Sequence, residues 1–106
     1  MSLRAHLYEL ASALEAGGEA SRARRARSAV DGTDGELASY LTSNDLWGGA
    51  GSVADEAGGG SGRTSQRKAI EAAMAVLGKE QIRVGKVNAR TEMWVSAFDS
   101  RSRSDI

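Results

Sequence analysis

The sequence has no cysteine, no proline and a single histidine, His6. Without cysteine there is no disulfide framework, no thiol nucleophile and no cysteine-liganded zinc. One histidine is too few for a His-rich metal site, so neither a metal nor a cofactor is expected. Without proline the strongest helix breaker is missing, and glycine is left as the punctuation. Aromatic residues make up only 5% of the chain, so the core has to be built from Leu, Ile, Val, Met and Ala. Neither charge prevails: 14 basic residues stand against 14 acidic ones, for a net charge of zero. That argues against a general polyanion binder but leaves room for a local basic patch. No apolar run approaches a membrane span, and Glu9 and Glu15 interrupt the N-terminal stretch, so it does not read as a signal peptide. The expected setting is the cytoplasm with no membrane partner. The wealth of Ala, Arg and Gly is what a high-GC bacterial genome would encode.

What is present is an ordinary globular composition, 41% hydrophobic and 26% charged over 106 residues. That is enough for one domain, 1–106, with a single modest core. Leu3, Leu7, Leu10 and Leu14 recur at 4-3-4 spacing and predict an amphipathic helix over about 2–16, stopped by Gly17-Gly18. Ala20, Ala23, Ala26 and Val30 give a second helix, about 19–31, a small-residue face. Thr33-Asp34-Gly35-Glu36 has capping-box spacing and opens a short helix over 34–42 that buries Leu37, Tyr40 and Leu41. A long helix over 65–85 carries Gln66, Ile70, Ala73, Met74, Leu77, Gln81 and Val84 on one face. Ala69, Ala72, Ala75 and Val76 cover much of the rest. A helix apolar nearly all round belongs in the centre. Gly78 either admits a neighbour's backbone or marks a bend, and Gly85 is its C-cap. Asn88 is the expected N-cap of a last helix, about 89–101, with Trp94, Val95 and Phe98 together and a frayed tail at 100–106. The fold class is therefore all-α, a small bundle of four to five helices.

Between the third and fourth of these lies a glycine-rich segment, 44–63, expected to be a central loop. So many glycines work against a regular element, since each costs about 1 kcal/mol against alanine in a helix. Its first half should be ordered by Leu46, Trp47 and Val53, with one helical turn from Val53 to Ala57 capped by Ser52; Gly58 to Gly62 should be slack. Trp47 has two readings, a loop anchor with its ring in the core or a recognition hot spot presented by flexible glycines.

Motifs that resemble catalytic chemistry fail on context. Gly49-x-Gly51-x-x-Ala54 matches a relaxed dinucleotide fingerprint, but that turn needs a preceding strand and a βαβ unit, and here a helix precedes it. Ser52 lacks the second glycine of a nucleophile elbow and is better explained as a cap. Asp55 and Glu56 are adjacent, so on a helix they point apart. His6, on the flank of the leucine stripe, is expected at or near the surface. Arg22, Arg24, Arg25 and Arg27 form the densest charge on the chain, either a solvated face paired with Glu15 and Glu19 or a patch for an acidic partner. The chain therefore reads as a non-catalytic protein-interaction module rather than an enzyme. It would bind a protein partner or self-associate, a homodimer included, through Arg22, Arg24, Arg25, Arg27 and Trp47. Nucleic acid is disfavoured by the zero net charge. The alternative is a small anion- or phosphate-ligand-binding protein. It would use the glycine-rich loop and the start of the next helix, at Gly62, Arg63 and Thr64.

Overall fold

The structure, a computed structural model, describes residues 2–59 and 65–104. Among these there are seven helices and no strand: α1 Leu3–Ala16, α2 Ala20–Asp31, α3 Asp34–Leu41, α4 Asn44–Trp47, α5 Val53–Gly59, α6 Ser65–Val84 and α7 Thr91–Ser104. The all-α class follows from the helical periodicity of the apolar residues.

Each boundary has a local cause. Ser2 Oγ accepts from the Ala5 N–H and starts α1. Its end is a Schellman turn: Gly18 takes φ +82°, its N–H donates to Glu15 O, and the Glu19 N–H donates to Leu14 O at 2.8 Å. Gly85 ends α6 in the same way, at φ +78° with the Lys86 N–H on Gln81 O. Both positions favour glycine because a left-handed backbone strains any residue with a Cβ. Thr33 and Glu36 form the expected capping box at the start of α3, each side chain accepting from the other residue's backbone N–H.

The helices pack in the order α2, α1, α6, α7, with α3, α4 and α5 wrapping one side. Leu7, Leu10, Ala11 and Leu14 of α1 are buried, as the leucine stripe demands, against Ala23, Ala26 and Ala29 of α2. Ala29 is buried besides the expected Ala23 and Ala26, whereas Ala20, at the first position of α2, is exposed. Arg4 ties the two helices further. Its guanidinium donates to Val30 O and to Gly32 O (2.9 Å), carbonyls at the end of α2, and pairs with Asp34 at 2.8 Å. Met74, Leu77 and Gln81 of α6 face the centre, and α7 lays Val95 and Phe98 on its other side.

Five boundaries or environments depart from the sequence reading. The segment 44–63 is not a loop throughout: the Ser52-capped turn expected from Val53 is present and runs on to Gly59 as α5, and Ser43 caps a further short helix, α4, that was not expected. Cap chemistry and the burial of Leu46, Trp47, Val53 and Ala54 outweigh the glycine penalty there. Helix α7 starts at Thr91 rather than at residue 89, and Asn88, the expected N-cap, instead closes a turn, its side chain accepting from the Arg90 N–H. It also runs to Ser104, past the expected fraying point. At Gly78 the neighbours are side chains: an added Cβ would lie 2.9 Å from Trp47 Cη2 and collide with Val95 Cγ2. Finally, α6 is not enclosed all round, since Ala69, Ala72 and Val76 are exposed.

Candidate functional site

The first half of the glycine-rich segment is shaped by both tryptophans. Trp47 is 0% exposed, and its Nε1–H donates to Gln81 Oε1 at 3.0 Å. Gln81, equally buried, uses its own amide N–H groups on Leu41 O and Lys86 O, both at 2.8 Å. One glutamine thus joins α4, the end of α3 and the end of α6 in the interior. Trp94 donates from its Nε1 to Gly48 O, which also accepts from Ser52 Oγ. Trp47 is therefore the internal anchor, and as an exposed contact residue it is corrected: an indole with no exposed surface offers nothing to a partner.

The turn after Gly48 borders an open polar recess of about 300 Å³, lined by Asn44, Asp45, Gly49, Ala50, Gly51, Ser52 and Arg90. Asn88 ties two of its walls together. Its Nδ2–H donates to Thr42 O and Asn44 Oδ1, while its Oδ1 accepts from the Arg90 N–H at 2.8 Å. The Arg90 guanidinium then lies against Gly49, where a Cβ would come within 3.0 Å of Nη1. Sequence reasoning missed Arg90. The only available signal was Asn88 two residues before it, which marked a turn but not its distance from Gly49.

The arginines of α2 divide. Arg22 is half-buried and held by Glu19 at 3.0 Å, Gly51 O at 2.9 Å and Glu56 at 3.7 Å. Arg27 pairs with Glu15. Arg24 and Arg25 are exposed, so only these two stand outward as expected of a contact patch. The Tyr40 phenol is pushed up to about 12 chiefly by burial, with the charge of Asp45 adding and those of Arg25 and Arg22 opposing. The Arg4 hydrogen bond and charge hold the Asp34 carboxyl below its usual range.

Ser52 is buried and spends its hydroxyl on Gly48 O and the Asp55 N–H. Asp55 accepts from the Gly51 N–H while Glu56 turns to Arg22. His6 is half-buried beside an open apolar recess of about 360 Å³ formed with Glu9, Ala72, Ala73 and Val76. No group of three metal-ligating side chains comes together among the described residues. No helix among them is long and apolar enough to cross a membrane. The anion candidates Gly62, Arg63 and Thr64 lie outside the described residues. Just beyond them Arg67 donates to the carbonyls of Glu56 and Ala57, fastening the end of α5 to the first turn of α6. Comparison with protein-family models, with curated proteins and with solved structures finds no match to this chain.

Proposed function

We propose that the chain is a non-catalytic protein-interaction module of the cytoplasm whose main contact face is the uncovered side of α6. One observation carries this. Helix α6 has the residue pattern of an enclosed helix, yet Ala69 and Ala72 are exposed and Val76 is 50% exposed, beside the apolar recess shared with His6 and Glu9. A helix apolar on nearly all sides gains from being covered on all of them. A second copy of the chain is the first partner to test, since most protein oligomers are built from copies of one chain. Arg24 and Arg25 on α2 are a second, polar contact zone suited to an acidic protein surface. Nucleic acid is a weaker candidate because the net charge is zero.

The experiment is the mass in solution over a concentration series, for the native chain and for Val76→Glu and the Arg24→Glu, Arg25→Glu pair. A native dimer that Val76→Glu converts to monomer supports the α6 face. A chain that is monomeric throughout, with every other detected association unchanged in both variants, ends the module reading. A second reading, a small anion- or phosphate-ligand-binding protein, is supported by the polar recess beside Arg90. A thermal-shift screen with phosphates and nucleotides separates the two, because a ligand that binds only the folded state raises the midpoint.

A further inference from the structure

The recess between α4, the glycine turn and the start of α7 carries one charge of each sign, and the two do not neutralise each other. Asp45 and Arg90 both line it and both are exposed. Neither forms an ion pair, with the other or with any other described residue. Among the described residues the Asp45 side chain has no hydrogen-bond partner, and the hydrogen bonds of Arg90 are those of its backbone, with Asn88 Oδ1 accepting from its N–H and its carbonyl accepting from the Trp94 N–H. The peptide groups of Gly49 and Ala50 line the same recess, and their N–H groups have no acceptor among the described residues. A guanidinium lying against Gly49, in a recess bordered by two residues whose peptide N–H groups are unengaged among the described residues, offers the donors that an oxyanion needs. Asp45 on the adjoining wall repels a bare anion and attracts a cation. A ligand that satisfies all four groups must carry both charges a short span apart. The volume of about 300 Å³ sits at the lower end of what small-molecule sites enclose, about 300–1,000 Å³.

We propose that this recess binds a small zwitterion of the amino-acid type, its carboxylate on Arg90 and the Gly49 and Ala50 N–H groups and its ammonium on Asp45. Asn88 holds the two charged walls at a set separation by bonding Asn44 on one side and the Arg90 backbone on the other. Glycine at 49 leaves room for the guanidinium. The assignment goes beyond the interaction module and is independent of it, since Val76 lies on α6 and not in this recess.

The test is a titration of the intact chain with free L-amino acids, followed through the amide resonances of Gly49, Ala50 and Gly51. Acetate, methylamine and inorganic phosphate serve as single-charge probes. The expected result is a saturable shift with at least one amino acid at about millimolar concentration. Arg90→Gln and Asp45→Asn should each weaken it about tenfold or more, the scale of one lost charge-assisted hydrogen bond. Acetate and methylamine should bind correspondingly less well. Both substituted side chains are exposed, and an unchanged thermal midpoint confirms that each variant is folded. No saturation with any amino acid overturns the assignment, as does binding that survives Arg90→Gln. Phosphate or acetate matching the amino acids, or Asp45→Asn strengthening the binding, also overturns it by making the recess a plain anion site. Val76→Glu should leave these titrations unchanged, so failure of the α6 contact and failure of this site are read separately.

Discussion

At the scale of single residues the interior is fixed by one buried amide. Gln81 receives the Trp47 N–H and gives its own N–H groups to Leu41 O and Lys86 O. Trp47→Phe keeps an aromatic ring but leaves Gln81 Oε1 without a donor in a buried place, at a cost of about 1–3 kcal/mol. Gln81→Leu abandons three partners at once and should cost more than Trp47→Phe. Urea titration ranks the two, and variants both within about 0.5 kcal/mol of the native chain would mean the network contributes nothing. Gly78 sets two effects against each other. Alanine there should gain about 1 kcal/mol in helix propensity, but its Cβ would press on Val95 and Trp47, and overpacking costs about 1–3 kcal/mol. Packing should win, so Gly78→Ala is expected to melt lower than the native chain. Tyr40 supplies a pH signature. Burial pushes its phenol from the ordinary 10.0 up to about 12. A raised acid keeps its proton longer in the folded chain, so its contribution is complete below the ordinary value and is lost as pH rises from there toward the folded one. Near-ultraviolet phenolate absorbance in a Tyr8→Phe background, followed beside stability, checks this. None of the three roles was legible from the sequence in full. Gln81 was on the inward face, but a face does not say which carbonyls an amide will find. Gly78 was marked as either a close approach of a neighbour's backbone or a bend, but the approaching groups are side chains from sequence-distant helices.

At the scale of elements, the legible helices were those whose signals are local. The 4-3-4 leucines of α1 span about three turns and the Thr33–Glu36 box of α3 about one, and both elements are present nearly as read. Helix α4 was harder, because its apolar residues are few and the glycines after it argue against a helix, and for α5 the Ser52 cap marked the start but not the run to Gly59. What decides them is the burial of Leu46, Trp47, Val53 and Ala54, a tertiary gain that no short window contains. The same holds for the candidate site. The pairing of the α2 arginines with Glu19 and Glu15 was legible and is present for Arg22 and Arg27, but the bonds of Arg22 to Gly51 O and Glu56 arise only because α2 and α5 converge. The capping box of α3 gives the element-scale prediction. Thr33→Ala removes the acceptor for the Glu36 N–H and should cost about 1 kcal/mol. The Thr33 backbone N–H is also the main cause holding the Glu36 carboxyl below its usual value. A depressed carboxylate contributes above the unfolded value, and that contribution disappears as pH falls through the folded one. Chemical denaturation of the native chain and Glu36→Gln, from neutral pH down through the carboxylate range, should show a shallower acid loss in the variant. Identical profiles would mean the box has no acid-sensitive part.

At the scale of the whole molecule, the question is why a helix that lies between α1 and α7 and is composed for enclosure keeps one apolar face open. Of its faces, one meets α1, one meets α7 and the innermost carries Met74, Leu77 and Gln81 into the core. The remaining one, with Ala69, Ala72 and Val76, is covered by no described element. Charge does mark its C-terminal end. Arg83 is held by Glu80, whose carboxyl is lowered mainly by that hydrogen bond, and Lys79 by Asp99 at 2.9 Å. Those cations are engaged within the chain, so the apolar part of the face is what a partner would meet. This separates stability from association in a way two substitutions can read. Leu77→Ala empties a fully buried site and should cost about 2–5 kcal/mol, lowering the thermal midpoint whatever the chain binds. Val76→Glu replaces a half-exposed residue on a helix and should leave monomer stability within about 0.5 kcal/mol. If the face is an interface, the same change buries an unpaired carboxylate against apolar surface and should abolish the contact. Analytical ultracentrifugation and thermal melts on both variants then give opposite patterns: loss of stability for Leu77→Ala, loss of association without loss of monomer stability for Val76→Glu. A Val76→Glu chain that sediments and melts as the native one does would show that the uncovered face of α6 is simply solvated, with its small side chains leaving too little apolar area to hold a partner.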